Sequence, residues 1–465
     1  MSRQLARILP LIGTILAASC TVGPNYRRPN VPVPPSYRDS TDTPVNGTQL
    51  QSFADLPWWQ IFDDPTIQDL IRTTLKNNYD VLTATERINQ ARAQLGITRS
   101  NQLPQIQAVG QFSGTRDSPA LKSNILNLAA DVSYQVDLFG GLRRATEAAR
   151  AQLLGTEDAR RVVVLTLVSD VATDYFQLLG FDLQLKLTLD TIKNQQESIR
   201  LTQLRVDRGV ATKVDVLQAQ QVLDTANAQV PDLERQIKQT EDAVNILLGN
   251  YPAGIRRTRT LAEQRIAPEV PPGLTSALLE RRPDIREAEQ SLIAANAEIG
   301  VATAAFFPQI SLTGSAGGSF GQTVSSGITS SANAGVWSYA AGLAQPIFTG
   351  GRLRSNLLLS ESGAREALIA YKQTIQKAFG EVSDALIGYQ KTRELRARQE
   401  QSVKTLQEAV RISQLRYRGG ITTFLEVLDN QRSLYSAQLA LAQVQTSEFQ
   451  SLVTLYKALG GGWQQ

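Results

Sequence analysis

The sequence predicts an α+β membrane protein made of two copies of one half-unit, each with two strands and a very long helical hairpin. Three observations carry that prediction. The first is an internal duplication. Arg200-Leu-Thr-Gln-Leu-Arg205 and Gly209-Val-Ala-Thr212 recur as Arg411-Ile-Ser-Gln-Leu-Arg416 and Gly420-Ile-Thr-Thr423, six of thirteen positions being identical at a constant offset of 211. The second is a pair of 65-residue stretches, Leu142–Val206 and Leu353–Tyr417, which hold no proline and read as helix throughout. At 1.5 Å per residue each is roughly 100 Å long if straight, too long for the interior of a 465-residue globule. The third is a set of four strand patterns, two per half, each with an apolar and a polar face.

Composition removes other classes. The chain has no histidine, one cysteine (Cys20) and one methionine (Met1). A His-based triad, a His or Cys metal site and an intramolecular disulfide are therefore excluded. Charged residues are 19% and nearly balanced, with a net charge of +4 to which Arg3 and Arg7 contribute two. No basic face points to nucleic acid. No uninterrupted apolar run reaches the roughly 18 residues of a membrane-spanning helix.

Residues 1–19 read as a secretory leader: two arginines, the apolar stretch Ile8–Ala18, then small residues. Leu16-Ala17-Ala18-Ser19 before Cys20 resembles a bacterial lipoprotein box, with its leucine one place further back than usual. Cleavage would leave Cys20 as a lipidated first residue, anchoring the chain to a bilayer without a spanning helix. Thr21, rather than Asp, follows the cysteine, which points to the outer membrane. Residues 20–62 read as an extended segment, 63–252 as the first repeat and 253–463 as the second.

In the first repeat a helix over Asp80–Gln102 ends before Pro104. Strands follow at about 105–112 and 129–138. Ala130, Val132, Tyr134, Val136 and Leu138 share one face of the second strand, and Asp131, Ser133, Gln135 and Asp137 share the other. In the second repeat the strands are expected at about 309–319 and 336–348. The links Ser113–Leu128 and Phe320–Ala334, rich in Ser, Gly and Asn, read as exposed loops. Gly140-Gly141 and Gly350-Gly351 precede the long helices, and hairpin tips fall at 205–212 and 416–423. The returning helices are Lys213–Leu248 and Phe424–Leu459. The latter carries one apolar row through Leu428, Tyr435, Ala442, Phe449 and Tyr456. A second row, Val427, Leu434, Leu441 and Leu455, is broken at Glu448. Paired stripes favour supercoiled packing on both sides.

Four strands cannot close, and an open sheet edge in lipid leaves backbone groups that cost several kcal/mol each. Membrane barrels have about eight strands or more. The chain must therefore pool strands with copies of itself, and three chains supply twelve. Asp131, Gln135, Asp137, Ser311 and Thr313 would line an aqueous lumen, while Trp337 and Tyr339 suit an interfacial aromatic belt.

Five segments carry a family resemblance: Cys20-Thr-Val-Gly-Pro-Asn-Tyr-Arg-Arg-Pro29, Trp58-Trp59-Gln-Ile-Phe62, Arg282-Pro-Asp-Ile-Arg286, Pro346-Ile-Phe-Thr-Gly-Gly-Arg352 and Tyr456-Lys-Ala-Leu-Gly-Gly-Gly-Trp463. Together they resemble the TolC-like outer-membrane efflux ducts, most closely the lipoprotein branch serving resistance-nodulation-division multidrug pumps. The resemblance implies a homotrimer whose twelve-stranded β-barrel continues as a periplasmic α-helical barrel. It implies an outer-membrane channel of a tripartite efflux system that takes drugs or other small molecules from a pump and periplasmic adaptor to the exterior. No enzymatic activity and no cofactor are implied. The adaptor-docking role of the family's tips carries onto Gly209, Val210, Gly420 and Ile421. Leu425, Asp429 and Arg432 are spaced i, i+4 and i+7 on one helical face, at the positions of the family's periplasmic constriction. Threefold symmetry would make each a ring, leucine excluding water and Asp selecting cations or pairing with Arg. Their first-repeat partners, Val214, Gln218 and Gln221, lack the charges, so the second hairpin is expected to move more.

Three other readings compete. A duct for type I protein secretion would share the fold. A lipid-anchored periplasmic adaptor, a coiled-coil binding protein, would carry one hairpin and several small β-domains instead of two hairpins and two strand pairs. A carboxylate-based enzyme would need paired acids gathered in a cleft, and the sequence shows none.

Overall fold

The computed structural model describes residues 21–35, 56–118, 121–265 and 278–461. The first half runs α1 (Trp58–Ile61), α2 (Pro65–Asn77), α3 (Tyr79–Ser100), β1 (Gln105–Ser118), β2 (Leu121–Val136), α4 (Gly141–Asp207) and α5 (Lys213–Leu247). The second runs α6 (Leu278–Arg281), α7 (Pro283–Ala304), β3 (Gln309–Ser325), β4 (Ile328–Ala344), α8 (Arg352–Arg418) and α9 (Phe424–Ala458). Both hairpins pair a 67-residue helix with one of 35 residues. The chain forms two compact units, each drawing on both halves of the sequence. One takes residues from 1–31, 86–157 and 286–373, the other from 32–85, 158–285 and 374–465.

The first unit holds one antiparallel sheet in the order β1-β2-β3-β4. The two halves join where β2 pairs with β3, from Leu121↔Ser325 to Val136↔Ile310. The register puts Gln107, Asp131 and Ser315 in one row, and the Ser315 hydroxyl donates to Asp131 at 2.6 Å. The opposite face carries Ile106, Phe112, Leu126, Val132, Leu312 and Phe320, with Trp337 and Tyr339 stacked 6.0 Å apart. Period-two alternation thus produces one polar and one apolar face.

The strands differ from the sequence expectation. The stretches read as loops, 113–128 and 320–334, are strand almost throughout. Their Ser, Gly and Asn residues belong to the pleat, because small side chains pair through backbone groups as well as any others. Ser326 and Gly327 have φ of 49° and 84°, as a two-residue type I′ hairpin requires. That Ser-Gly signal was legible in the sequence. Strand β2 ends at Val136, so Asp137 leaves the polar face. Its carboxylate instead accepts from the backbone N–H of Leu142 and Arg143, at 3.2 and 3.0 Å, at the start of α4. Likewise β4 ends at Ala344, and Ile347 and Phe348 lie exposed beyond it.

Beneath the sheet, α4 meets α7 through Ala148, Ala151, Ala294 and Ala297. Methyl-sized side chains let the backbones approach closely. The segment after Cys20 is strapped onto this pair. Val22 N–H donates to the Phe139 carbonyl at 3.1 Å. The buried Arg144 guanidinium donates to the Val22 and Gly23 carbonyls and, at 2.7 Å, to Asn25 Oδ1. Gly23, at φ +88°, lies so near Gly300 that a side chain would overlap its backbone. Tyr26 donates to Glu289 at 3.0 Å, completing the physical content of the Thr-Val-Gly-Pro-Asn-Tyr signature.

The second unit packs α4, α9 and the α1 region around aromatic rings. Phe176 stacks on Phe449 at 4.7 Å and meets Phe62 at 6.2 Å, while Phe62 meets Tyr456 at 6.4 Å. Tyr175 donates to buried Asp64 at 2.8 Å, and Asp64 also caps α2 by accepting from Thr66 N–H. At Gly180 a methyl group would collide with Thr446, so the glycine inside α4 marks a close approach of α9. Buried Arg282 donates to Asp284, Glu381 and the Ala458 carbonyl, stapling the end of α9 to α8.

Candidate functional site

The hairpin tips are built from glycine-terminated helices. Val210 N–H donates to the Arg205 carbonyl and Gly209 N–H to Val206; Ile421 and Gly420 repeat the pattern onto Arg416 and Tyr417. These are Schellman caps, with Gly209 and Gly420 left-handed at φ 75° and 72°. The apolar residue after such a glycine commonly packs back onto its helix. Here it does not: Val210 is 65% exposed and Ile421 72%.

The two tips then diverge. Thr212 and Asp215 form a reciprocal capping box at the start of α5, with Asp215 N–H donating to Thr212 Oγ1 at 3.3 Å and Thr212 N–H to Asp215 at 2.9 Å. Thr423 makes no such bond, although Thr423-x-x-Glu426 has the box spacing. Glu426 instead accepts from Arg416 across the turn at 2.8 Å and from the Thr422 hydroxyl. At the second tip Arg416 and the Thr422 hydroxyl, rather than the Thr423 backbone N–H, donate to the glutamate.

The first turns of α9 have two faces. Phe424, Val427 and Leu428 bury themselves with Ala219 and Val222 of α5. Gln195 of α4 donates to Gln431 at 3.0 Å, and the Thr188 and Tyr435 hydroxyls lie 2.9 Å apart. On the other face Leu425 is 46% exposed, and Asp429 and Arg432 are exposed with 4.0 Å between their charged atoms. The three residues thus do share a face, and it is the one the chain itself leaves uncovered. In the first hairpin Val214 and Gln221 are exposed, while Gln218 is half-buried and its Oε1 has no hydrogen-bond partner.

Two features were not read from the sequence. Arg205 stacks over the Tyr417 ring at 4.3 Å, and Tyr417 meets Phe424 at 5.2 Å, tying the first hairpin to the second at their ends. A groove of about 890 Å³ runs beside this contact, lined by Gln195, Leu201, Arg208, Gln414, Leu434 and Gln438 among others. Cation–π contacts carry no fixed sequence spacing, so only the packed helices reveal this one. Cys20 lies outside the described residues.

Residues 70–250 and 274–461 match the outer membrane efflux protein family. The chain belongs to that family. Among its relatives, the probable efflux pump outer membrane protein TtgC of Pseudomonas putida is 36% identical over 464 residues, covering 98% of this chain and 95% of its own. The probable outer membrane lipoprotein SilC of Salmonella typhimurium is 33% identical over 455 residues, with 97% of each chain covered. The open-state structure of the Neisseria gonorrhoeae MtrE outer membrane channel superposes with a TM-score of 0.86 at 32% identity, covering 96% of this chain and 99% of that one. This outer membrane efflux protein therefore has the fold class read from its sequence: duplicated half-units, three chains pooling twelve strands into a barrel, and a helical barrel continuing into the periplasm. It is an outer-membrane channel of a tripartite efflux system. In such a barrel the apolar face of β1–β4 meets lipid, and the row of Gln107, Asp131 and Ser315 lines the lumen.

Proposed function

We propose that the hairpin tips are the docking points for a periplasmic adaptor and that Leu425, Asp429 and Arg432 form the channel's periplasmic gate. The observation that carries this reading is the two-faced start of α9, apolar and buried toward α5 but bare at Leu425, Asp429 and Arg432. Three copies of that bare face, related by threefold symmetry, give a leucine ring and a charged ring across the lumen. The exposed Val210 and Ile421 at glycine-capped turns offer apolar contacts to the adaptor. Adaptor binding opens the gate only if it prefers the splayed tips, since equal affinity for both states shifts nothing. The inner-membrane partner is a pump of the resistance-nodulation-division class, the cargo a drug or other small molecule, and Cys20 carries the anchoring lipid.

Single-channel recording of the purified trimer in planar bilayers tests the gate. Asp429→Ala or Arg432→Ala should raise open probability or conductance. An exposed i, i+3 pair contributes at most about 1 kcal/mol within one chain, so neither change should unfold the hairpin. Gating unchanged in both variants would sink the assignment.

A further inference from the structure

Strands β1 and β2 have 14 and 16 residues, longer than the roughly 9–11 that cross a bilayer. Their surplus lies toward the turn, away from the ends that lead into α3 and α4. Following the lipid-facing side outward, Phe112 pairs with Leu126, Gly114 with Asn124, and Arg116 with Lys122. Phe320 extends the first row and Gln322 the second. An apolar band therefore ends at Phe112, Leu126 and Phe320, a polar row follows, and then come two cations side by side with Val324 next to Lys122.

Arg116 and Lys122 are exposed and directly opposite one another. Like charges in that position destabilise a sheet. Among the described residues neither makes an ion pair or hydrogen bond, and Asp117, at the irregularity between Arg116 and Ser118, pairs with neither. Four residues separate the cationic row from the last apolar row, about 13 Å along the strand and roughly 10 Å above the hydrocarbon edge at the usual strand tilt. The head-group layer extends roughly 5–8 Å beyond the hydrocarbon on each side, and long basic side chains lean over the remaining distance toward it. With the helices in the periplasm, this end of the barrel lies at the outer leaflet.

We infer that Arg116 and Lys122 bind the phosphate-bearing head group of an outer-leaflet lipid. The phosphate sits between the guanidinium and the ammonium, and the acyl chains lie along the Leu126–Leu128–Val132 side of the band. Arginine offers a planar pair of donors to phosphate and lysine a point charge; the anion removes the repulsion between them. Each trimer carries three such sites. The inference rests on the outer-membrane channel reading and adds to it a specific lipid.

Native mass spectrometry of the detergent-purified trimer tests it, with bis-phosphorylated lipid A, its dephosphorylated form and inorganic phosphate as probes. Up to three bis-phosphorylated molecules should bind per trimer. The Arg116→Gln, Lys122→Gln double variant should bind them about thirtyfold more weakly, from roughly fivefold per basic residue at an anionic surface. Dephosphorylated lipid A should bind the unaltered trimer as weakly as the variant binds the phosphorylated form. Equal affinity of both lipids for the unaltered trimer would mean apolar adsorption and overturn the inference. So would equal affinity of variant and parent, or displacement by equimolar inorganic phosphate. If the double variant fails to trimerise, the two-lipid comparison and retention of binding by Lys122→Arg still decide. Conductance of the same preparation separates the readings, because a conducting trimer without lipid preference overturns this inference alone.

Discussion

Replacing Arg396 with alanine should strand a buried carboxylate in the middle of the second hairpin. Glu448 is 3% exposed and accepts from Arg396 Nη1 at 2.7 Å. Arg396 also donates through Nε to the less buried Glu400 at 2.9 Å. Removing one partner of a buried pair commonly costs about 3–5 kcal/mol. At about 1–2 °C per kcal/mol for a chain of this size, the variant should melt roughly 3–10 °C below its parent. The assay is thermal loss of helical circular dichroism on the purified trimer. Arg396→Met with Glu448→Leu should recover most of the loss, since leucine continues the row of Leu441 and Leu455. No drop in the single variant, or no recovery in the double variant, would refute the burial argument.

The tip glycines and a buried acid give two further tests. Gly420→Ala meets no neighbouring atom within 4 Å, so its cost is backbone strain alone, about 1–2 kcal/mol. Gly180→Ala collides with Thr446 and should lower the melting temperature further; the reverse order would contradict the close approach of α4 and α9. The Asp174 carboxyl is pushed up to about 6, first by burial and then by the negative charge of Asp170. The folded chain therefore keeps a proton that the unfolded chain releases near pH 4, so stability falls as pH rises through about 4 to 6 and stays lower above it. Discounted for partial exposure, the effect is about 1 kcal/mol. Asp174→Asn should flatten the melting profile over that window, and an unchanged slope would count against the burial.

Sequence reading located the hairpins and tips closely because helix signals are local and the chain states its plan twice. Glycine after an unbroken helical run, as at Gly209 and Gly420, can end a helix in only a few ways. The strand lengths were harder. A wall paired on both sides needs alternation and backbone groups, and Ser, Gly and Asn serve its polar face while also composing loops. Asp137 shows the same limit, since a carboxylate one residue past a strand's end looks like the next outward side chain until the helix start claims it. Glu448 was visible as a break in an apolar row, but its meaning lay in Arg396, 52 residues away.

What the sequence determined alone was therefore the repeated half-unit, the helical hairpins and the need to share strands between chains. Each follows from periodicity, from proline-free length and from the cost of an open edge in lipid. The tertiary structure decided which face of α9 is buried and which is left bare. It decided why Gly23 and Arg144 are needed beneath the sheet, and that Arg116 stands beside Lys122 at its rim. Those are contacts between residues far apart in the chain or across a register. They depend on how whole elements pack, and no local pattern encodes that.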